Sequence, residues 1–424
     1  MAIDQAKLDA FLGKAVVDLG AAVSAVLVSI GDELGFYRVL ASGPLTSSQL
    51  ATRTGTAERY VREWLANQAA GGYVDYDAAT GAYSLNAEQA ACLADPAGPV
   101  DLPGAYAIVQ DLYHVRERAL QNFRTGGGME WGEHHACLFH GTERFFRASY
   151  NAHLLTEWLP ALDGVMGKLT SGGRAADVGC GHGASTILMA RRFPRSQFIG
   201  IDYHEPSIAM ARQRAAEAGV GNVRFEVADA TSYAAKDLDL IAFFDCLHDM
   251  ADPAGAARHA RAALKSDGHC MIVEPYAGDR VEENLNPVGR VYYGASSLVC
   301  VPVSLAKRGP ALGAQAGEQR LRSVVVDQGG FTRFRRATQT PFNLVLEARP
   351  DTRRSPQSPG GSSECSPACR FTLARLLSRP AIEGFRPASV LSLPRRVGPW
   401  LRFDQLNEQE AIFRIPRHGR SEEA

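Results

Sequence analysis

Seven residues of this chain concentrate the chemistry that its sequence can announce. In Asp177-Val178-Gly179-Cys180-Gly181-His182-Gly183, three glycines sit at alternate positions. A short apolar run precedes them and a helical pattern follows. Glycine lets a backbone pass close to a ligand and tolerates strained φ/ψ. An open strand-to-helix turn of this kind is where α/β proteins hold nucleotides. The spacing G-x-G-x-G, with an acid two residues ahead, is not the dinucleotide pattern G-x-G-x-x-G. Further on, Ser196 to Asp202 reads as a second strand tipped by an acid, and Ala184 to Phe193 as the helix between. An acid at that tip can accept two hydrogen bonds from ribose hydroxyls. Val223 to Val227 reads as a third strand, followed by Ala228-Asp229-Ala230. Leu240 to Phe244 reads as a fourth, tipped by Asp245.

Each of these aspartates alone could be a solvated helix cap. Taken in order, the strand ends resemble those of class I S-adenosylmethionine-dependent methyltransferases. The resemblance implies S-adenosylmethionine as cofactor, with Asp177, Gly179, Gly181 and Gly183 forming its loop. It implies Asp202 at the ribose, Asp229 and Ala230 at the adenine, and Asp245 at the fourth strand end. It also implies a small-molecule methyl acceptor.

After the fourth strand comes Leu247-His248-Asp249-Met250. Winged-helix O-methyltransferases carry Leu-His-Asp-Trp here, and the chain is similar to them. In that family the histidine is the general base for the acceptor hydroxyl, and an acid ending the fifth strand orients it. Glu274, after Cys270 to Val273, matches that acid. The implied catalytic pair is therefore His248 and Glu274. A neutral imidazole titrates near pH 6.5 and can take such a proton, and a carboxylate behind it sets the tautomer. Met250 departs from the pattern and changes the pocket wall. Bacterial winged-helix methyltransferases resemble a longer stretch, from about Leu8 to Pro350. In them this histidine need not be catalytic, and the other role for His248 is a structural hydrogen bond to Asp245 or Glu274. Methyl transfer itself relies mostly on in-line positioning.

These residues need elements to hold them. Leu8, Phe11, Leu12, Ala15, Val16 and Leu19 recur on one face of a helix, continued by Val23, Val26, Leu27, Ile30 and Leu34. This stripe is either a core face or the seam of a homodimer, and the resemblance favours the seam. Thr46-Ser47-Ser48-Gln49 is a capping box opening a short helix to about Thr54. Ala57 to Ala70 reads as a second helix with Val61, Trp64 and Leu65 inward. Tyr73 to Tyr76 and Tyr83 to Leu85 flank a hairpin turn. Helix, turn, helix, hairpin is a winged helix, whose default role is DNA binding. From Leu45 to Ala90, however, Arg53, Arg59 and Arg62 face Glu58, Glu63, Asp75, Asp77 and Glu88. Phosphate contacts supply much of DNA affinity, so the unit reads as structural, with no nucleic-acid partner expected. The neighbouring histidines His134 and His135 either face substrate or lie on an exposed loop. The insertion from Pro275 to Arg322 is apolar and aromatic, which suggests an apolar or aromatic acceptor. Ser323 to Gly330 with Phe331, and Phe342 to Ala348, are expected to supply the closing helix and an antiparallel strand pair.

The whole chain of 424 residues has a formal net charge of −1 and is 46% hydrophobic. No global field draws it to nucleic acid or anionic lipid. Its eight cysteines are scattered, as in a reducing cytoplasm. Cys365 and Cys369 have no second pair nearby, so no metal is expected. The apolar run Leu19 to Ile30 is bounded by Asp18 and Asp32 and reads as too short to span a bilayer. The expected fold is α/β: a doubly wound, Rossmann-like seven-stranded methyltransferase domain behind an α-helical winged-helix domain. Residues 1–95 form the winged-helix and dimerisation domain, 96–163 a helical connector contributing to the acceptor pocket, and 164–350 the cofactor-binding domain. Residues 351–424 lose lysine and gain arginine, proline and serine, and read as a disordered tail. Two other classes remain: a winged-helix regulator that binds S-adenosylmethionine as a ligand, and an NAD(P)-dependent oxidoreductase, disfavoured by the glycine spacing.

Overall fold

A computed structural model describes residues 3–350; the expected tail and the Cys365/Cys369 pair lie outside them. The chain opens with one long helix, α1 (Gln5–Glu33), N-capped by Asp4, whose carboxylate accepts from the Ala6 and Lys7 N–H groups. Short helix α2 (Phe36–Leu40) follows. Helix α3 (Ser47–Thr54) starts in the capping box: the Gln49 N–H donates to Thr46 Oγ1 at 3.3 Å and the Thr46 N–H to Gln49 Oε1 at 2.8 Å. Helix α4 (Glu58–Ala70) buries Val61, Trp64 and Leu65. Strands β1 (Asp75–Asp77) and β2 (Ala82–Ser84) form the wing, and an antiparallel bridge from Leu45 to Tyr83 joins it to the first helices.

Trp64 explains how α1 attaches. Its indole N–H donates to the Leu27 carbonyl at 2.7 Å, and its ring occupies the space beside Gly31, where a Cβ would lie 2.3 Å from Cζ2. Only Ala25, Val28 and Gly31 of α1 are buried. The stripe beginning at Phe11 is not a core face: Phe11, Val16 and Leu19 are 67%, 69% and 65% exposed. The helix is also longer than the apolar run suggested. By length and composition alone the whole helix is long and apolar enough to cross a membrane, where the run Leu19 to Ile30 by itself is not. Asp18 within it pairs with Arg290 at 2.9 Å.

Helix α5 (Ala87–Leu93) ends the winged unit. The connector contains α6 (Leu102–His114), α7 (Arg116–Thr125) and α8 (Ala136–Ser149), which runs on into π-helical turns over Tyr150–Trp158. Arg144 on α8 ties connector to N-terminus, donating to Asp32 Oδ2 at 2.5 Å and to both Asp101 oxygens at 2.9 Å.

After α9 (Val165–Ser171) come β3 (Arg174–Val178), α10 (Ala184–Arg192), β4 (Gln197–Asp202), α11 (Glu205–Glu217), β5 (Val223–Val227), β6 (Leu238–Phe244), α12 (Pro253–Ala263) and β7 (Leu264–Pro275). The insertion holds α13 (Pro287–Ala295), π-helical turns over Ser296–Cys300, and α14 (Val301–Ala306). Helix α15 (Gly317–Arg322) then leads through π-helical turns to β8 (Arg333–Gln339) and β9 (Asn343–Arg349). The sheet order is β5-β4-β3-β6-β7-β9-β8. The first five strands in that order run parallel, while β9 is antiparallel to β7 and to β8. β6 is buried along its whole length, as a central parallel strand covered on both faces must be. The order reverses between β3 and β6, and open α/β sheets bind ligands at such a switch point.

Candidate active site

The glycine loop sits at that switch point, directly after β3. Gly179, Gly181 and Gly183 all have left-handed φ, of 78°, 50° and 78°. Their surroundings differ. A Cβ on Gly183 would meet the Phe225 ring at 2.7 Å and one on Gly179 would meet Cys246 Sγ at 2.7 Å, whereas one on Gly181 would meet nothing within 4 Å. Gly183 and Gly179 therefore serve packing, and Gly181 turns an open face toward the crevice.

Asp177 is buried at the end of β3. Its Oδ2 accepts from the hydroxyls of Ser185 at 2.5 Å and Thr186 at 2.6 Å, holding the first turn of α10, while its Oδ1 has no partner among the described residues. Burial raises its pKa to about 6. Asp202, at the tip of β4, accepts from the Gly181 N–H at 2.9 Å and the His204 N–H at 2.9 Å. It ties the second strand end to the loop, and burial raises its pKa. Asp229 is exposed beyond β5 and binds its own turn, accepting from the Thr231 hydroxyl at 2.6 Å; this contact lowers its pKa. Ala230 packs half-buried against the central core. Asp245, after β6, has a left-handed φ of 51°, which L-residues adopt at a cost. Its N–H donates to the Val273 carbonyl at 2.7 Å, its Oδ1 accepts from Asn343 at 3.3 Å, and its Oδ2 has no partner. Burial pushes its carboxyl well above the usual range. All four acids thus stand at the carboxyl ends of neighbouring parallel strands.

His248 and Glu274 are brought together. The Glu274 carboxylate, at the end of β7, takes the Leu247 N–H at 3.0 Å on Oε1 and faces His248 Nδ1 at 2.5 Å on Oε2. Both side chains are buried, 4% and 2% exposed. A carboxylate at Nδ1 puts a proton there, so that in the neutral ring the lone pair is on Nε2. Nε2 faces Cys300 Sγ at 3.3 Å, from the π-helical turn of the insertion. Burial pulls the His248 pKa down, and the Glu274 and Cys300 contacts more than offset it, leaving it well above the ordinary value. Asp249 beside it is raised to about 7 by burial.

Several neighbours carried no signal in the sequence. Helix α8 lies over the loop: His140 packs on His182 with ring centroids 5.4 Å apart, and Phe139 on His204 at 4.9 Å. His182 is buried, its Nδ1 has no partner, and burial lowers its pKa to about 4. It is a neutral ring at neutral pH. Lys307 sits over the Tyr203 ring at 4.5 Å. Of the paired histidines, His134 fits neither expectation. It is buried, with Nδ1 2.6 Å from Asp111 Oδ2. His135 is exposed and caps α8.

This sheet order, with β9 reversed between β7 and β8 and a glycine loop at the switch point, is the one expected of a class I methyltransferase domain. Comparison with known proteins agrees. Residues 169–325 match the family described as "Methyltransferase domain", and residues 22–95 the "Rv2258c-like winged HTH domain". Among solved structures, the mitomycin 7-O-methyltransferase MmcR is similar with a TM-score of 0.60 and 21% identity, over 82% of this chain and 100% of that one. Human N-acetylserotonin methyltransferase, in complex with S-adenosylmethionine, is similar with a TM-score of 0.57 and 17% identity, over 82% and 99%. Trans-aconitate 2-methyltransferase from Variovorax paradoxus is 30% identical over 165 residues, which are 38% of this chain and 56% of that protein. The chain thus spans about half the length of that curated relative. The chain is thus similar to methyltransferases over its sheet domain and to a winged helix-turn-helix unit before it, and one of these structural neighbours was solved with S-adenosylmethionine. The residues present fit it: at these strand ends a Cβ on Gly181 would meet open space, and Asp177 Oδ1 and Asp245 Oδ2 are buried without a partner among the described residues.

Proposed function

We propose that the protein methylates a small apolar or aromatic molecule at oxygen. The observation that carries this reading is the buried Glu274–His248 pair, with Nδ1 held by carboxylate and Nε2 directed at the insertion. The bound cofactor supplies an electrophilic methyl group on sulfur. Asp202 would accept its ribose hydroxyls, Asp229 and Ala230 would border its adenine, and Asp177, Asp245 and the three loop glycines would shape the rest of its site. An acceptor hydroxyl displaces the Cys300 thiol from Nε2, and His248 takes its proton while Glu274 steadies the imidazolium. Tyr292, Val299 and Cys300 of the insertion are buried and apolar or aromatic, which supports an acceptor of the same character.

The winged unit serves assembly in this reading. Arg59 and Arg62 on α4 pair with Glu63 and Glu58 at 2.6 and 2.8 Å on their own helix, so they are not free for phosphate. The exposed apolar face of α1, a large contiguous strip, is the seam of a homodimer, and the setting is cytoplasmic, without membrane attachment. The test is product identification: incubating the protein with cell extract and labelled S-adenosylmethionine yields a labelled O-methyl compound. Label on nucleic acid, or an electrophoretic shift of DNA that depends on the cofactor, would instead support the regulator reading.

A further inference from the structure

A second constellation lies where α6 ends and α8 begins. His114 is the last residue of α6, His135 is the N-cap of α8, and Cys137 lies in its first turn. One ligand atom from each falls within 4.8 Å of the others. The His114 and His135 rings stack with centroids 4.6 Å apart and planes 25° from parallel. His135 Nδ1 lies 3.1 Å from Cys137 Sγ and also accepts from the Cys137 N–H at 3.3 Å. That nitrogen therefore carries a lone pair, which the Cys137 N–H now occupies and a metal ion would take over beside the thiol. A thiolate and a neutral imidazole on one zinc ion stand roughly 3.5 Å apart, given bond lengths of about 2.3 and 2.0 Å in tetrahedral geometry. The observed gap needs to widen by only a few tenths of an ångström, and His114, exposed, is free to swing in.

The frame behind these groups is rigid. Asp111, one turn before His114 on α6 and fully buried, accepts the His135 N–H at 2.8 Å on Oδ1 and holds His134 Nδ1 on Oδ2. It pins the His134-His135 segment to α6, so two of the three donors ride on a fixed backbone. Buried partners of this kind orient metal ligands in known sites. Imidazole and thiolate are the donors that select borderline-soft ions such as zinc over magnesium or calcium. We propose that His114, His135 and Cys137 form a zinc site, with water in the fourth position, that clamps the end of α6 to the start of α8. Zinc uptake breaks the S–H bond, releases that proton to solvent and forms the Zn–S bond. Helix α8 carries Phe139 and His140 over the glycine loop, so the clamp would steady the roof of the methyl-transfer site from outside it.

The test uses the full chain, freed of metal by a chelator and kept reduced. Titration with Co²⁺ should give a near-ultraviolet thiolate-to-cobalt band that saturates at one equivalent and is displaced by Zn²⁺. Cys137→Ser should abolish the band, and His114→Ala should weaken Co²⁺ binding at least tenfold, both with unchanged circular dichroism. Zinc should raise the melting temperature of the parent and not of Cys137→Ser. Absence of the band in the parent, or its survival in Cys137→Ser, overturns the proposal.

Discussion

Replacing Glu274 by glutamine separates a catalytic dyad from a structural one. The native carboxylate accepts two hydrogen bonds, from the Leu247 N–H at 3.0 Å and from His248 Nδ1 at 2.5 Å. Glutamine keeps the volume and offers one acceptor oxygen, so one of the two buried donors meets an amide N–H. An unsatisfied buried donor costs about 1–3 kcal/mol, and each kcal/mol lowers melting by about 2–4 °C in a domain of this size class. The charge also goes. Burial then acts on His248 with less opposition, and its pKa falls from well above the ordinary histidine value. A base must be neutral to act. The parent enzyme's kcat/KM should therefore rise with pH through a limb above the usual 6.5, and Glu274→Gln should move that limb toward acid while lowering the plateau. Stability carries the opposite sign. A raised folded-state pKa stabilises below the unfolded value near 6.5, and that contribution fades as pH climbs through the folded value; the variant should lose this dependence. A pH–rate profile with methyl-labelled cofactor, alongside melting scans at several pH values, reads both effects. An ascending limb that stays in place in Glu274→Gln would refute the assignment of His248 as base.

Three further outcomes are expected. His248→Ala should leave S-adenosylmethionine affinity nearly unchanged by calorimetry while turnover falls roughly 10²–10⁴-fold, the usual scale for a lost general base; unchanged turnover would make His248 structural. Gly181→Ala places a side chain at a φ of 50° facing open space, a backbone cost of about 1–2 kcal/mol, and should weaken cofactor binding with modest loss of stability. Gly183→Ala should mainly destabilise, because its Cβ meets the Phe225 ring; equal effects of the two on binding would undo the distinction. Val16→Asp on α1, 69% exposed in the protomer, should turn a dimer into a monomer by light scattering, and an unchanged mass would remove α1 from the interface.

Short-range order was legible in the residues themselves. The capping box at Thr46, the helix ending before Gly71-Gly72, the wing and the glycine turn after β3 all depend on neighbours within a few positions, and local hydrogen bonding settles them. So do the strands that end in Asp202 and Asp245, whose apolar runs are continuous because both sheet faces are covered. Burial is not local. The apolar stripe of α1 has the same period whether it faces a core or a partner, and only the packing of Trp64 beside Gly31 showed that a narrow strip of it is covered. His134 and His135 are adjacent in sequence, yet one is buried against Asp111 and the other caps a helix in the open. Cys300 lies 52 residues beyond His248, and no spacing rule foretells that an insertion's π-helical turn will bring its thiol to Nε2. Local residue types specify the loop and the order of acids, because backbone conformation and strand ends follow from near neighbours, and the cofactor followed from the family resemblance those acids carry. Which acids keep an oxygen free, what covers the loop and what meets the histidine were decided by tertiary packing, because those contacts join segments that chain order keeps far apart.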